Sequence, residues 1–224
     1  PCRHRARRAR SALSLMATRL LPARVESERL VMRLWHVDDA QRLVDAVGAN
    51  LDHLRPWMPW IAFEPLSAEQ RREWIAGVDR AWEAGGDAVY GMFLRSSGEI
   101  VGGTGLHRRG APDELEIGYW LGSAATGLGL ATESTAALTS AAFEHPGITR
   151  IVVRHDRANV RSAAVPTRLG FARVGEDPRS PEAPGEEGVA VTWAISSREW
   201  DTLGARWRGT MGEWHSSPSS TDPT

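Results

Sequence analysis

Lysine does not occur in this 224-residue chain, in which all 27 basic side chains are Arg. Chemistry built on an amine side chain is therefore excluded. A Walker-type phosphate loop would lack the Lys that meets the terminal phosphates, and pyridoxal or Schiff-base mechanisms would lack their covalent handle. Cysteine is nearly absent as well. The one Cys, Cys2, stands in a basic terminal segment. The folded body thus has no disulfide framework, no Cys-based zinc site and no Cys nucleophile, a usage that suits a reducing cytoplasm. Long apolar runs are missing too: the longest uncharged stretch, Ile117 to Thr132, is glycine-rich and too short and polar for a membrane span. His107 and His155 stand isolated in sequence, and no His/Asp/Glu cluster has metal-ligand spacing, so no metal is expected. What is present, 42% apolar and 25% charged residues, is the make-up of an ordinary globular domain able to bury its own core.

The net charge of −1 conceals an asymmetry. Residues 1–24 carry Arg and no acid, whereas the remainder is acidic. The leader reads as a disordered segment, with a nucleic-acid arm or an Arg-rich transit peptide as its functional alternatives. Met16 would make a plausible start, with the residues before it upstream translation. No helix-turn-helix or aromatic-basic strand accompanies the leader, so no nucleic-acid partner is expected. Residues 206–224, ending in a Ser/Pro/Thr stretch, read as a flexible tail, and residues 25–205 as one domain.

Within that domain, Arg29 to Trp35 alternates like a strand, and an amphipathic helix is predicted from Val37 to Val47. Ser67 with Gln70 forms a capping-box pattern that opens a helix to about Ala84, ended by Gly85-Gly86. Ala88–Arg95, Glu99–His107 and Glu114–Leu121 read as an antiparallel meander. A small-residue turn then leads into a helix over Leu130–Phe143. Ile148–Arg154 is a strand, Val160–Leu169 a helix, and Phe171–Val174 and Val189–Ile195 are strands. The class is α+β, with a strand–glycine loop–helix–strand–helix unit at its centre.

The glycine loop Thr126-Gly-Leu-Gly-Leu-Ala131 follows a strand and opens a helix. Unpaired backbone N–H groups and the positive end of the helix dipole converge there, which makes it a candidate anion site. A dinucleotide fold is not expected, because the preceding strand belongs to an antiparallel meander rather than to the first strand of a parallel βαβ unit.

Taken together, Glu116-Ile-Gly-Tyr-Trp-Leu121, the loop with its following Thr132-Glu133, and Asn159 to Phe171 resemble the GNAT acyltransferase superfamily, most closely its RimJ/RimL-like branch. The resemblance runs from about Glu28 to Trp200. It implies a mixed, mostly antiparallel sheet flanked by helices and splayed between its fourth and fifth strands, here Glu114–Leu121 and Ile148–Arg154. Acetyl-CoA is the implied co-substrate. Its pantetheine arm would lie along Tyr119, Trp120 and Leu121, its pyrophosphate on Thr126, Gly127, Leu128, Gly129, Leu130 and Ala131, and Asn159 and Arg161 would contribute from the next helix. Thr126 stands where the family carries Arg or Gln, and Leu128 where a basic residue is frequent; Arg157, Arg161 or Arg168 are the candidates to supply the missing charge.

Acyl transfer needs a neutral amine, a donor to the developing oxyanion and a proton for the departing thiolate. By resemblance, Glu116 is the candidate general base, although a strand carboxylate held in an ion pair would look the same in sequence. A backbone N–H near Trp120 or Leu121 would be the oxyanion donor. Many GNAT enzymes place a general-acid Tyr seven residues after the motif Asn; here that position is Pro166, and Ser162 takes over the role. Trp57 and Trp60 would wall the acceptor channel, or else pack in the core. The acidic body favours a cationic acceptor, either a protein N-terminal amine or a small-molecule amine. A homodimer is compatible with the resemblance. The alternative reading is a catalytically silent CoA-binding module.

Overall fold

The structure is a computed structural model that describes residues 20–204 and Trp207. Eight strands form one sheet: β1 (Arg24–Glu26), β2 (Leu30–Leu34), β3 (Ala88–Leu94), β4 (Ile100–His107), β5 (Glu114–Leu121), β6 (Arg150–Asp156), β7 (Ala172–Pro178) and β8 (Val189–Ser196). Their order is β1-β2-β3-β4-β5-β6-β8-β7. Neighbours are antiparallel throughout except β5 and β6, which run parallel. The helices are α1 (Ala40–Gly48), α2 (Leu51–Leu54), α3 (Ala68–Glu83), α4 (Leu130–Glu144), α5 (Val160–Leu169) and α6 (Ser197–Leu203). Ser67 and Gln70 make the expected capping box at α3. The segment expected to begin a helix at Val37 is a short 3₁₀ turn that leads into α1.

Alternation along β5 divides the two faces of the sheet. Leu115, Ile117, Tyr119 and Leu121 face α4 and the larger core, which also holds Tyr90, Leu138, Ile151 and Trp200. Trp120 faces the second core under α1 and α3, with Trp35, Leu43, Ile75 and Phe93. Each fully buried Leu or Ile in these clusters contributes about 2 kcal/mol. This places helices on both sides of one sheet and leaves the cleft where β5 and β6 part.

Of the segment expected as a leader, residues 1–19 lie outside the described residues, but Leu21 is in the core. Trp82 Nε1 donates to the Leu21 carbonyl at 2.8 Å, and the Tyr90 hydroxyl donates to the Pro22 carbonyl at 2.6 Å. Leu21 and Pro22 thus belong to the packed structure, although arginine composition placed them in the leader. Of the expected tail, Trp207 packs against the larger core; residue 206 and residues 208–224 lie outside the described residues. Because β1 precedes the strand read as the first, the expected fourth and fifth strands are β5 and β6.

Candidate active site

β5 and β6 pair over only three positions, from Glu114↔Arg150 to Glu116↔Val152. Beyond Glu116, β5 continues to Leu121 and β6 to Asp156 without pairing, while β8 follows β6 along its other edge. The sheet is splayed here, as the resemblance implied. On one side of the opening lies a cavity of about 1090 Å³ that reaches the glycine loop, and on the other a cavity of about 1060 Å³ under Trp35, Trp60 and Trp74. The two meet at Trp57, Met58, Tyr119, Trp120, Asn159 and Ser162, which line both.

The loop side has the features of an anion site. Gly127 and Gly129 adopt positive φ of 76° and 79°, a backbone that L side chains rarely take. Among the described residues no side chain caps α4, so its first-turn N–H groups stay available. Glu133, in that first turn, would repel phosphate, but it is neutralised. Its carboxylate accepts from the Ser27 hydroxyl at 2.7 Å, the Arg29 N–H at 2.8 Å and the Arg29 guanidinium at 2.7 Å. Arg29 Nη1 also donates to the Leu128 carbonyl at 3.0 Å. A cation therefore stands beside the loop although Thr126 and Leu128 carry none. Of the three arginines expected to fill this role, Arg157 is engaged by Glu176 and Glu187 and does not line the cavity, whereas Arg161 and Arg168 do line it. Arg29 escaped the sequence reading because nearly a hundred residues separate it from the loop it touches.

Tyr119, Trp120, Leu121, Thr126, Gly127, Gly129, Leu130, Ala131, Asn159 and Arg161 all line this cavity. Leu128 does not; its side chain is exposed and only its carbonyl is used.

Glu116 lines the other cavity with Trp57 and Trp60. Its carboxylate is bound by Arg154, which also holds Glu114 at 3.2 Å, and lies 3.5 Å from Arg109 Nη1. Burial alone would lower the Arg154 pKa, but the hydrogen bonds and charges of Glu116 and Glu114 hold it above the usual value. Trp60 meets Trp120 edge to face at 5.8 Å and belongs to the second core as well as to the cavity wall. Neither of the two histidines is isolated in space. His155 Nε2 accepts from Trp193 Nε1 at 2.9 Å and Nδ1 donates to the Asp156 carbonyl at 2.7 Å, while burial holds its pKa low. His107 Nδ1 lies 2.9 Å from Asp87 Oδ2. Among the described residues no His, Cys, Asp or Glu group could hold a metal ion, and no helix is long and apolar enough to cross a membrane.

Residues 29–172 match the family described as acetyltransferase (GNAT) domain. The chain belongs to the GNAT acetyltransferase family. It is 32% identical to the ribosomal protein uS5-alanine N-acetyltransferase of Escherichia coli (strain K12) over 160 residues, 68% of this chain and 79% of that one. It is also 29% identical over 176 residues to YdaF of Bacillus subtilis (strain 168), provisionally named a ribosomal N-acetyltransferase; this covers 78% of this chain and 95% of that one. The fold is shared with Mycobacterium smegmatis RimJ solved with CoA-disulfide, at 24% identity and a TM-score of 0.70, covering 84% of this chain and 94% of that one.

In this GNAT chain the position expected for the acid Tyr is filled by Pro166, inside α5. Proline has no N–H to give to the carbonyl four residues back, which is that of Ser162. The Tyr119 hydroxyl fills the gap: it crosses the splay and donates to the Ser162 carbonyl at 3.1 Å, with Ser162 Oγ also at 3.1 Å. Burial pushes the Tyr119 pKa up to about 12, partly offset by the bond with Ser162, so the phenol keeps its proton at neutral pH. Asn159 caps α5 by accepting from the Ser162 N–H at 3.1 Å while still lining both cavities.

Proposed function

We propose that the protein is an N-acetyltransferase that moves an acetyl group from acetyl-CoA directly to a primary amine. The observation that carries this is the meeting of the two cavities at Tyr119 and Ser162, which gives donor and acceptor one shared opening. The residues of the loop side fit acetyl-CoA: two positive-φ glycines, an uncapped helix start and Arg29 suit a pyrophosphate. Bound there, acetyl-CoA would supply the activated acetyl thioester.

The chain's own residues would supply the rest. A backbone N–H at Trp120 or Leu121, in the stretch of β5 that has parted from β6, would face the oxygen on which negative charge develops. Ser162 Oγ would give its proton to the departing sulfur, with Tyr119 beside it. Glu116, engaged by Arg154 and near Arg109, would place negative charge at the amine end and orient the acceptor, with Trp57 and Trp60 excluding water. The acceptor is a protein N-terminal amine or a small amine. The E. coli relative, named for an alanine terminus on a ribosomal protein, favours the former.

The test is calorimetric titration of the full chain with acetyl-CoA, followed by thiol release with three acceptors: a peptide with a free N-terminal Ala, spermidine and phenylethylamine. Saturable binding that is lost in Gly129→Glu, together with thiol release on one acceptor, supports the reading. Binding without release on any of them makes the protein a silent CoA-binding module.

A further inference from the structure

We propose that His107, oriented by Asp87, is the group that takes the proton from the acceptor amine; this rests on the transferase reading above. The carboxylates and imidazoles that line the acceptor cavity are separated by their partners: Glu64 is paired with Arg71, Glu182 and Glu186 with Arg179, Asp156 with backbone N–H groups, and Asp87 with His107 and the Arg108 N–H. Glu116 is bound by Arg154 and approached by Arg109. His155 has both ring nitrogens engaged, by Trp193 and by the Asp156 carbonyl. His107 uses Nδ1 only, and its Nε2 has no hydrogen-bond partner among the described residues.

The position of that nitrogen follows from glycine. His107, Gly105 and Gly103 share one face of β4, opposite Glu116, Gly118 and Trp120 of β5. A Cβ built on Gly105 would stand 2.5 Å from His107 Nε2, so only glycine there lets the imidazole lie down along the sheet. A Cβ on Gly118 would stand 3.5 Å from the same atom. Nε2 thus lies over the Gly105–Gly118 pair, one same-face step further along β5 than Glu116. His107, Gly118 and Trp120 all line the acceptor cavity.

Asp87 fixes which nitrogen is basic. It lies between Gly85-Gly86 and β3, and its Oδ1 accepts the Arg108 N–H at 2.8 Å, which leaves Oδ2 for His107 Nδ1 at 2.9 Å. The hydrogen bond from His107, foremost, then that from the Arg108 N–H, keeps the Asp87 pKa below the usual value against the cost of burial. An ionised carboxylate only accepts, so Nδ1 carries the hydrogen, and in the neutral ring Nε2 is the nitrogen that presents a lone pair. The charged groups that share the cavity wall nearest the ring are Asp87 just before β3, Arg109 after β4, Glu116 on β5 and Arg154 on β6.

The proton balance is complete. The acceptor arrives as an ammonium and gives one proton to Nε2, which passes it to solvent. The N–C bond forms as the C–S bond breaks; Ser162 gives its proton to the departing sulfur and is reprotonated, through solvent, by the amine's second proton.

The experiment measures thiol release by the full chain with acetyl-CoA and the Ala-terminated peptide, spermidine and phenylethylamine, across pH, for wild type, His107→Gln, His107→Ala and Asp87→Asn. Calorimetric affinity for acetyl-CoA serves as the control for folding. The expected results are a kcat lower by roughly 100-fold or more in His107→Gln, with acetyl-CoA affinity unchanged, and loss of the acidic limb of the pH profile. Added imidazole should restore rate to His107→Ala, and Asp87→Asn should lose less and shift the limb. His107→Gln within about twofold of wild type with the same limb overturns the assignment, as does a loss that imidazole leaves untouched. A wild-type chain that binds acetyl-CoA but acetylates none of the three acceptors removes the transferase reading, and His107's role with it.

Discussion

Tyr119 and Ser162 face each other across the splay, hydroxyl to hydroxyl at 3.1 Å, because Pro166 leaves the Ser162 carbonyl without its helical donor. The Pro166 that stands at the position expected for an acid Tyr also creates the vacancy that the Tyr119 phenol fills. Replacing Pro166 by Ala should restore the backbone N–H and raise the melting temperature. Tyr119→Phe should cost about 1 kcal/mol in the wild-type background, by orphaning the carbonyl, and much less beside Pro166→Ala. Chemical denaturation of the four proteins of this cycle measures the coupling; additive values would contradict the vacancy.

Ser162→Ala should lower kcat by about 100-fold at an unchanged KM for acetyl-CoA. Because the Tyr119 pKa is pushed up to about 12, the phenol remains protonated through neutral and mildly alkaline pH. Tyr119→Phe should therefore lower the rate without moving an alkaline limb below about pH 11. Steady-state rates across pH check both statements.

Arg29 joins Glu133 to the Leu128 carbonyl and stands at the loop in place of a loop-borne cation. Arg29→Met should weaken acetyl-CoA binding about tenfold, the value of one charge-assisted hydrogen bond, with a smaller loss at high salt. Arg29→Lys should not rescue it fully, since one ammonium cannot span Glu133 and Leu128 in the way the guanidinium fork does. Calorimetry at two salt concentrations gives the answer.

Glu64 and Arg71 form an ion pair with both side chains only 5–6% exposed, and Arg71 Nε has no hydrogen-bond partner among the described residues. Breaking the pair strands a buried charge. Glu64→Gln should cost about 3–5 kcal/mol, and Glu64→Leu with Arg71→Met should recover much of that loss. Urea unfolding separates the cases: a Glu64→Gln cost below about 1 kcal/mol would mean that water reaches Arg71.

Asp156, 3% exposed, accepts the N–H groups of Ala158, Glu187, Gly188 and Val189. Burial would raise its pKa, but these bonds outweigh it and hold the value below the ordinary 3.8. Its stabilisation is therefore fully present above pH 3.8 and is lost as pH falls through the depressed folded value. Asp156→Asn should cost about 2 kcal/mol at pH 7, and the gap to wild type should narrow only below pH 3.8. Stability curves of the two proteins from pH 7 to 2.5 test the sign.

Local pattern carried much of this protein in its sequence. The alternation in Glu114–Leu121, the Ser67–Gln70 capping box and the turn into Leu130 are effects of neighbours in the chain, and they set the elements almost to the residue. Short elements escaped, since β1, α2 and α6 are too brief to show a period and are held by what they pack against. The glycine loop that opens α4 and the Asn159 cap of α5 were likewise legible, because each lies within one contiguous motif. What pairs with what was decided only in three dimensions. Glu116 lies beside Arg154, Arg29 beside Leu128, Asp87 beside His107 and Tyr119 beside Ser162, all through sheet register and splay that bring distant segments together. A side chain's type is fixed by the sequence, whereas its charge state, tautomer and direction depend on partners that only the tertiary fold supplies.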